Sequence, residues 1–220
     1  HGGVFTKAGY FECPTEIPEV YRHIRGEMVY FDRSGAPIVL EVGNPYSENN
    51  SGESFTLDSP TVGGELDAVL KDLDADSIEQ CEWRCSDCLI PAAKEWIMQT
   101  MDFELTRKFA DFLHDLERRE TPVKYKALLQ AADCSDLNTA LRLGADLDSY
   151  EFFPMQSAPG HYGRDALYEI YGDETANALY PYMDCFKYGK DRMDAEHAKI
   201  TDYGIIRRKD FEPIQAPEPD

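Results

Sequence analysis

The sequence predicts an α+β protein in which small antiparallel β-sheets flank a central helical region, in an elongated, modular architecture. Apolar residues recur at helical spacing through the middle of the chain, most clearly over 102–119. Short β-branched and aromatic runs such as 37–42 and 200–207 lie towards the two ends, between Gly-, Pro- and Asn-rich stretches. With 42% hydrophobic residues among 220, the chain can bury a core.

Each element follows from a local pattern. Residues 1–12 resemble a Gly-punctuated strand or the remnant of a hairpin, and 27–31 with 37–42 predict a hairpin before the polar loop 43–53. Asp102 can cap the long amphipathic helix, and Pro122 suits the first turn of the next helix. The remaining expected elements are a strand at 55–57, a helix at 64–74, a strand within 79–90, helices to about 132 and from 136, a strand at 150–154, helices at 163–172 and 174–180, and a strand at 200–207.

Four segments are expected. Residues 1–50 form a β-rich segment, which we consider as the tail of a preceding repeat unit because 1–12 resemble 197–208. Residues 51–100 form an αβ module with an acidic helix, and 101–148 a helical middle module. Residues 149–220 form a C-terminal αβ module with an acidic tail. The polar loop near residue 50 is the expected boundary, and because the chain begins with His1 we expect a fragment.

Acidic residues dominate the charge. The chain has 42 Asp and Glu against 22 Lys and Arg, a formal net charge of −20. Such a surface does not suit proteins that bind nucleic acid phosphates or anionic membranes directly, since both need clustered Lys and Arg. No transmembrane run and no signal peptide pattern is present, and six scattered cysteines indicate a reducing compartment, so we expect a cytoplasmic protein.

Carboxylates lie opposite the apolar stripes of the predicted helices, where several short helices could present negative charge at roughly the density of a DNA duplex. A solvated acidic surface without a partner is the simpler alternative. The candidate partner-binding carboxylates are Glu65, Asp67, Asp72, Asp74, Asp76, Glu79, Asp165, Glu169, Asp173 and Glu174.

Two further groups of residues are considered. Cys81, Cys85 and Cys88 form C-x3-C-x2-C, which lacks an evident fourth zinc ligand, so we expect free thiols, no metal and no cofactor, with zinc as the weaker alternative. The aromatic C-terminal third predicts a second small core or an oligomer interface, with Tyr168, Tyr171, Tyr180, Tyr182 and Phe186 as its candidates. No catalytic constellation, phosphate loop or dinucleotide fingerprint is recognisable, so we expect no enzyme.

Several stretches resemble one family. Residues 147–154 (LDSYEFFP) resemble the Leu-Asp-x-Tyr-x-Phe-x-Pro pattern of the ArdA antirestriction family, and 182–189 (YMDCFKYG) resemble its Tyr-x-Asp-Tyr-x-x-Tyr-Gly segment. Residues 55–91 resemble its opening module, and 162–171 its Gly-Arg helix. The similarity spans about 55–208.

The resemblance implies a dimeric DNA mimic carried on a conjugative mobile element, which protects incoming DNA by occupying the DNA-binding groove of a type I restriction–modification enzyme. In that case the candidate carboxylates take the place of phosphates and the aromatic candidates form a homodimer interface. The alternative is a protein-interaction or regulatory module of a mobile-element protein without DNA-mimic activity, using the aromatic third as its binding face.

Overall fold

Helices and short antiparallel strands alternate along the chain, which confirms the predicted α+β class. The computed structural model describes residues 2–6, 9–13, 36–46, 53–57, 63–119, 121–154 and 156–217. The strands in these ranges are β1 Gly2–Thr6, β2 Gly9–Cys13, β3 Ile38–Gly43, β4 Glu53–Leu57, β5 Glu82–Cys88, β6 Tyr150–Pro154, β7 Lys199–Ile200 and β8 Gly204–Arg208. The α-helices are α1 Gly63–Asp72, α2 Ala93–Thr100, α3 Phe103–Arg118, α4 Pro122–Ala131, α5 Leu137–Ala145, α6 Pro159–Leu179 and α7 Cys185–Ala195.

The strands form three antiparallel sheets. β1 and β2 make the hairpin expected at the start of the chain. The second sheet has the order β4-β3-β5, and the third has the order β6-β8-β7. The single strand expected at 200–207 is two short strands, because the chain turns back between Ile200 and Gly204, whose φ of 152° is the kind of conformation that glycine adopts readily.

The pairing of β3 corrects the expected boundary near residue 50. β3 is the central strand of its sheet, with Leu40 opposite Phe55 of β4 and also opposite Cys85 of β5. The loop after β3 therefore connects two paired strands. Residues 36–43 share a sheet with the segment that follows them, so this boundary lies inside one structural unit.

The middle helices begin where the sequence predicted. The Asp102 carboxylate accepts the Leu105 N–H at 2.9 Å and caps α3, and Asp136 accepts the Thr139 N–H at 2.9 Å and caps α5. Pro122 occupies the first turn of α4. Caps and N-terminal proline are local signals, which is why they could be located from sequence.

One hydrophobic core joins the β3–β5 sheet to helices α2–α5. It extends from Ile38 on β3 to Ile214 near the C-terminus and includes Phe109 and Leu128, both fully buried. Tyr125 is also fully buried, and its hydroxyl donates to the Ala140 carbonyl at 2.7 Å, which joins α4 to α5. A separate small cluster of Tyr162, Met193 and Ile205 holds the α6–α7 helical hairpin against β8.

Helices α6 and α7 compare differently with the expectations from sequence. The break expected between 172 and 174 is present, because Gly172 has φ 71° and ψ 165° inside α6. Helix α7 was not expected. Only Gly189 and Met193 are buried along it, so it has no apolar stripe to detect.

Some expectations lie outside the described residues. They include the strand at 27–31 and the final residues 218–220. Among the described helices, none is long and apolar enough to cross a membrane.

Candidate functional site

The first candidate surface comprises the carboxylates around α1, which we call the α1 acidic surface. Its members are Glu65, Asp67, Asp72, Asp74, Asp76 and Glu79, all of them exposed. No Lys or Arg in the described parts of the chain lies within ion-pair distance of these six side chains. The structure therefore brings the first six sequence candidates together on one segment. The exposed Lys71 lies among them without an ion pair to any of the six, so the surface keeps a strong negative excess.

A tight C-terminal turn sets the shape of this surface. Asp74 adopts φ 53°, the left-handed conformation that ends many helices. The Ala75 N–H donates to the Leu70 carbonyl at 2.9 Å, and the Asp74 N–H donates to the Lys71 carbonyl at 3.2 Å. Asp is among the few residues that tolerate this conformation, because its short polar side chain can form local hydrogen bonds. The turn thus directs the chain from α1 towards Asp76.

A buried amide fixes that turn to the sheet. Asn44 follows β3 and is 5% exposed. Its Nδ2 group donates to the Leu73 carbonyl at 2.9 Å and to the Asp74 carbonyl at 3.1 Å. Its Oδ1 accepts the Tyr46 N–H at 2.9 Å, so both ends of the amide are engaged. The carboxylates of the turn are consequently presented by a well-supported backbone.

The end of the surface is also held by hydrogen bonds. The Asp76 N–H donates to the Gln80 side chain at 2.9 Å. A hydrogen bond from the Ser77 side chain lowers the pKa of Glu79 below its usual value, so this carboxylate is ionised at neutral pH. An open depression of about 360 Å³, lined by Asp67, Asp74 and Asp76 among others, lies between α1 and the turn.

The second candidate surface is on α6. Asp165, Glu169, Asp173 and Glu174 are all exposed. Two of these carboxylates already have partners: Asp165 accepts from Gln156 at 2.6 Å and pairs with Arg164 at 3.1 Å, and Glu169 lies 3.9 Å from Arg192 of α7. This surface is less available to an outside cation than the α1 acidic surface.

The aromatic candidates on the α6–α7 hairpin fall into two groups. Tyr168 is half-buried, and its hydroxyl donates to Asn177 Oδ1 at 2.7 Å across the break at Gly172. Four of the five are exposed, Tyr182 most of all at 89%. Sequence reasoning missed two exposed neighbours of the same hairpin. We call the resulting set the exposed apolar set: Ile170, Tyr171, Leu179, Tyr180, Tyr182 and Phe186.

A buried charged network, which the sequence did not indicate, joins this hairpin to the third sheet. Arg207 on β8 is 6% exposed and pairs with Glu196, which follows α7, and with Glu151 of β6 at 2.6 Å. The guanidinium also donates to the Tyr162 hydroxyl at 2.6 Å, and that hydroxyl donates to Glu196. Its place in a strand of buried residues distinguishes Arg207 from the many surface arginines.

The network keeps Glu196 ionised. Burial alone would raise the pKa of this carboxyl, but hydrogen bonds from Tyr162 and Arg192 and the charge of Arg207 outweigh burial and lower it. Burial, together with the hydroxyl's donation to Glu196, raises the pKa of Tyr162, which stays a neutral donor. The arrangement is a satisfied structural network rather than a site poised for proton transfer.

The cysteine motif does not assemble a metal site. Cys85 and Cys88 are buried in β5 and Cys81 is half-buried, all as free thiols. The Cys85 thiol donates to the Asp87 carbonyl at 3.3 Å, and burial raises its pKa to about 11. Within the described ranges, no three His, Cys, Asp or Glu residues are placed to hold a metal ion. The zinc alternative built on these three cysteines therefore lacks a ligand cluster.

No protein-family model matches the chain, and no curated protein matches it.

Proposed function

We propose that the protein is an antirestriction DNA mimic that binds a type I restriction–modification enzyme in its DNA-binding groove and inhibits it without catalysing a reaction. The observation that carries this proposal is the α1 acidic surface. Six exposed carboxylates lie on one hydrogen-bonded segment, and among the described residues no Lys or Arg, Lys71 of the same segment included, forms an ion pair with them. The proposed place of action is the cytoplasm, and no cofactor is required.

The spacing of the carboxylates suits this role. Side chains one helical turn apart are about 5.4 Å apart along the axis. Phosphates recur about every 3.4 Å along each DNA strand. Asp67 and Asp74 both line the depression beside α1, which is open to a lysine or arginine of a basic groove. A row of carboxylates on a rigid support can thus replace several phosphates at once.

Binding by the α1 acidic surface would depend on the number of ion pairs formed rather than on any single one. An exposed ion pair contributes about 0.2–1 kcal/mol, so a single contact gives little affinity. Carboxylates without internal partners lose no existing ion pair when they meet a partner's cation. Asp165 and Glu169 would have to give up the pairs they already make, so we assign the larger share of binding to the α1 acidic surface.

A competition assay tests the proposal. A type I restriction–modification methyltransferase is bound to labelled duplex DNA and titrated with the full chain at about 50 mM and about 200 mM salt. The expected result is displacement of the DNA that weakens sharply as salt rises, because charge pairs are screened. Replacing Glu65, Asp67, Asp72, Asp74, Asp76 and Glu79 by Gln or Asn is expected to weaken displacement by at least about tenfold.

A second variant of equal charge is the matched control. It carries Gln or Asn at six exposed carboxylates elsewhere, namely Glu95, Asp111, Asp133, Asp191, Asp194 and Glu212. It should displace DNA nearly as well as the unmodified chain. Equal losses in both variants would show that only net charge matters. Absence of displacement at either salt concentration by the folded chain would overturn the proposal.

The exposed apolar set supports a second candidate, an interaction module without DNA-mimic activity. Large apolar side chains such as Tyr182 and Phe186 are common at protein interfaces. Such binding would persist at high salt, unlike binding by the α1 acidic surface.

The same set is the proposed homodimer contact. Sedimentation of the chain with Tyr182→Ser and Phe186→Ser tests this: a dimer that dissociates supports it, and an unchanged mass contradicts it.

A further inference from the structure

A cavity of about 480 Å³ lies between the start of α4 and strand β6, away from both acidic surfaces. Its apolar wall includes Val123, Tyr150, Phe152 and Pro154. The rest of the lining is polar and consists of Thr121, Lys124, Glu151 and Lys209. Its volume falls in the range of about 300–1,000 Å³ that is usual for small-molecule sites. A pocket that combines apolar walls with two cations is unusual on a chain of net charge −20.

The lysines share this pocket at an energetic cost. Burial lowers the pKa of Lys124, and the neighbouring positive charges of Lys209 and Arg119 lower it further, against the opposing effects of Asp148 and Glu151. Lys209 is fixed close by, because its backbone N–H donates to the Ser149 carbonyl at 2.9 Å. Like charges at close range repel unless an anion lies between them.

The nearby carboxylates do not supply that anion. Asp148 pairs with Arg119 at 2.8 Å, and Glu151 pairs with Arg207 at 2.6 Å. Each of these two pairs joins one positive to one negative charge. In the ranges that the structure describes, no carboxylate lies within ion-pair distance of Lys124 or Lys209. Within those ranges the two lysines thus have no carboxylate partner, and the Glu151 carboxylate, which also lines the pocket, pairs with Arg207 instead.

We propose that this cavity binds a small phosphate monoester that carries an aromatic group, the chemical class to which mononucleotides belong. The phosphate lies between the Lys124 and Lys209 ammonium groups, and the aromatic group contacts the wall formed by Val123, Phe152 and Pro154. The site is independent of the proposed antirestriction activity.

The chemistry of the walls selects this class. A phosphate monoester carries about −1.5 to −2 charges at neutral pH, which matches two lysines better than one carboxylate does. Lysine is a compact cation that binds phosphate as a point charge. Lys124 also lies in the first turn of α4, where the helix dipole favours anions. The apolar side chains favour a ligand with an aromatic group over a bare phosphate ion, because their contact removes apolar surface from water.

Titration calorimetry with three probes tests the proposal on the full chain. Phenyl phosphate carries both features, whereas phenol and inorganic phosphate each carry one. Phenyl phosphate is expected to bind at least about tenfold more tightly than either single-feature probe, since charge and apolar contact both contribute. The Lys124→Gln, Lys209→Gln double variant is expected to lose at least about tenfold in affinity for phenyl phosphate. Both lysines are at least partly exposed, and circular dichroism verifies that the variant is folded.

The matched control changes the same net charge elsewhere. Lys187 and Lys190 are exposed on α7, and Lys187→Gln with Lys190→Gln should leave phenyl phosphate binding unchanged. A second variant, Phe152→Ala, should weaken phenyl phosphate while leaving inorganic phosphate unaffected. Three results would overturn the proposal: no binding of phenyl phosphate, unchanged binding in the Lys124/Lys209 variant, or an equal loss in the Lys187/Lys190 control.

Discussion

Gly163 of α6 and Gly189 of α7 meet where these two helices pack, and a Cβ atom on either would lie 2.7 Å from the backbone nitrogen of the other. Ordinary Cβ contacts are longer, so only glycine fits both positions. The close approach brings the backbones of α6 and α7 together and supports the hairpin that carries the exposed apolar set. Two glycines on different helices thus determine how Tyr182 and Phe186 are presented.

Gly163→Ala is expected to destabilise the protein by about 2–3 kcal/mol, because the obstacle is backbone that cannot rotate away. Urea unfolding followed by circular dichroism measures the effect. Gly160→Ala, in the first turn of the same helix, is the control, since its Cβ would lie 3.8 Å from Phe186 Cα, an ordinary contact. The control should be neutral or slightly stabilising. Equal stability of the two variants would contradict the packing argument.

Glu196→Gln is expected to cost about 3 kcal/mol at pH 7, because it breaks a buried ion pair and leaves Arg207 undercompensated. The folded-state pKa of Glu196 lies below its usual value of 4.5, so its stabilising contribution is complete above about that pH. The contribution is lost as pH falls through the lower folded-state pKa. The difference between the unfolding free energies of the native chain and the variant should therefore become smaller as the pH is lowered below about 5, as the linkage relation requires.

Asp194→Asn is the control for this pH series. Asp194 is exposed two residues before Glu196, so the substitution removes the same charge without breaking the Arg207 contacts. Its effect on the unfolding free energy should stay within about 0.5 kcal/mol at every pH tested. A pH-independent cost for Glu196→Gln would argue that the carboxylate contributes only as a hydrogen-bond acceptor.

The sequence predicted where helices begin, whereas the pairing of strands that lie far apart in the chain could not be predicted from it. Asp102, Pro122 and Asp136 mark helix starts through contacts within a few residues, and the structure has them in those roles. The pairing of β3 with β5 joins residues 39 to 50 positions apart, so the loop between β3 and β4 looked like a boundary. No local pattern reveals such a partner.

The sequence likewise predicted the carboxylates of the candidate site but not the contacts that some charged side chains make with distant residues. The α1 carboxylates follow from helical spacing around Leu70 and Leu73, which are buried as expected. The internal pairing of Glu169 was not foreseeable, because its partner Arg192 lies on α7, a helix without an apolar stripe. Arg207 looked like any surface arginine, since only the three-dimensional packing of Tyr162 and Glu196 buries it.

Asn44→Ala is expected to destabilise the protein by about 1–3 kcal/mol, because the carbonyls of Leu73 and Asp74 lose their side-chain donor. The loss should be local. Hydrogen exchange of the amides at residues 70–76 should accelerate more than exchange in α3. Asn138→Ala, at an exposed position of α5, is the control and should leave exchange in both regions unchanged. Uniform acceleration throughout the chain would show that Asn44 supports the whole fold rather than the acidic turn.

Cysteine labelling distinguishes buried thiols in β5 from a metal site. Burial raises the pKa of Cys85 to about 11, and it also raises that of the fully buried Cys88 thiol. At pH 8 only about one Cys85 thiol in a thousand is ionised, and the thiolate is the reactive form. Iodoacetamide followed by peptide mass spectrometry should therefore find Cys185 labelled in the folded protein, with Cys85 and Cys88 labelled only after unfolding. A chelator should make no difference, whereas labelling of Cys81, Cys85 and Cys88 that appears only after chelation would establish the zinc site instead.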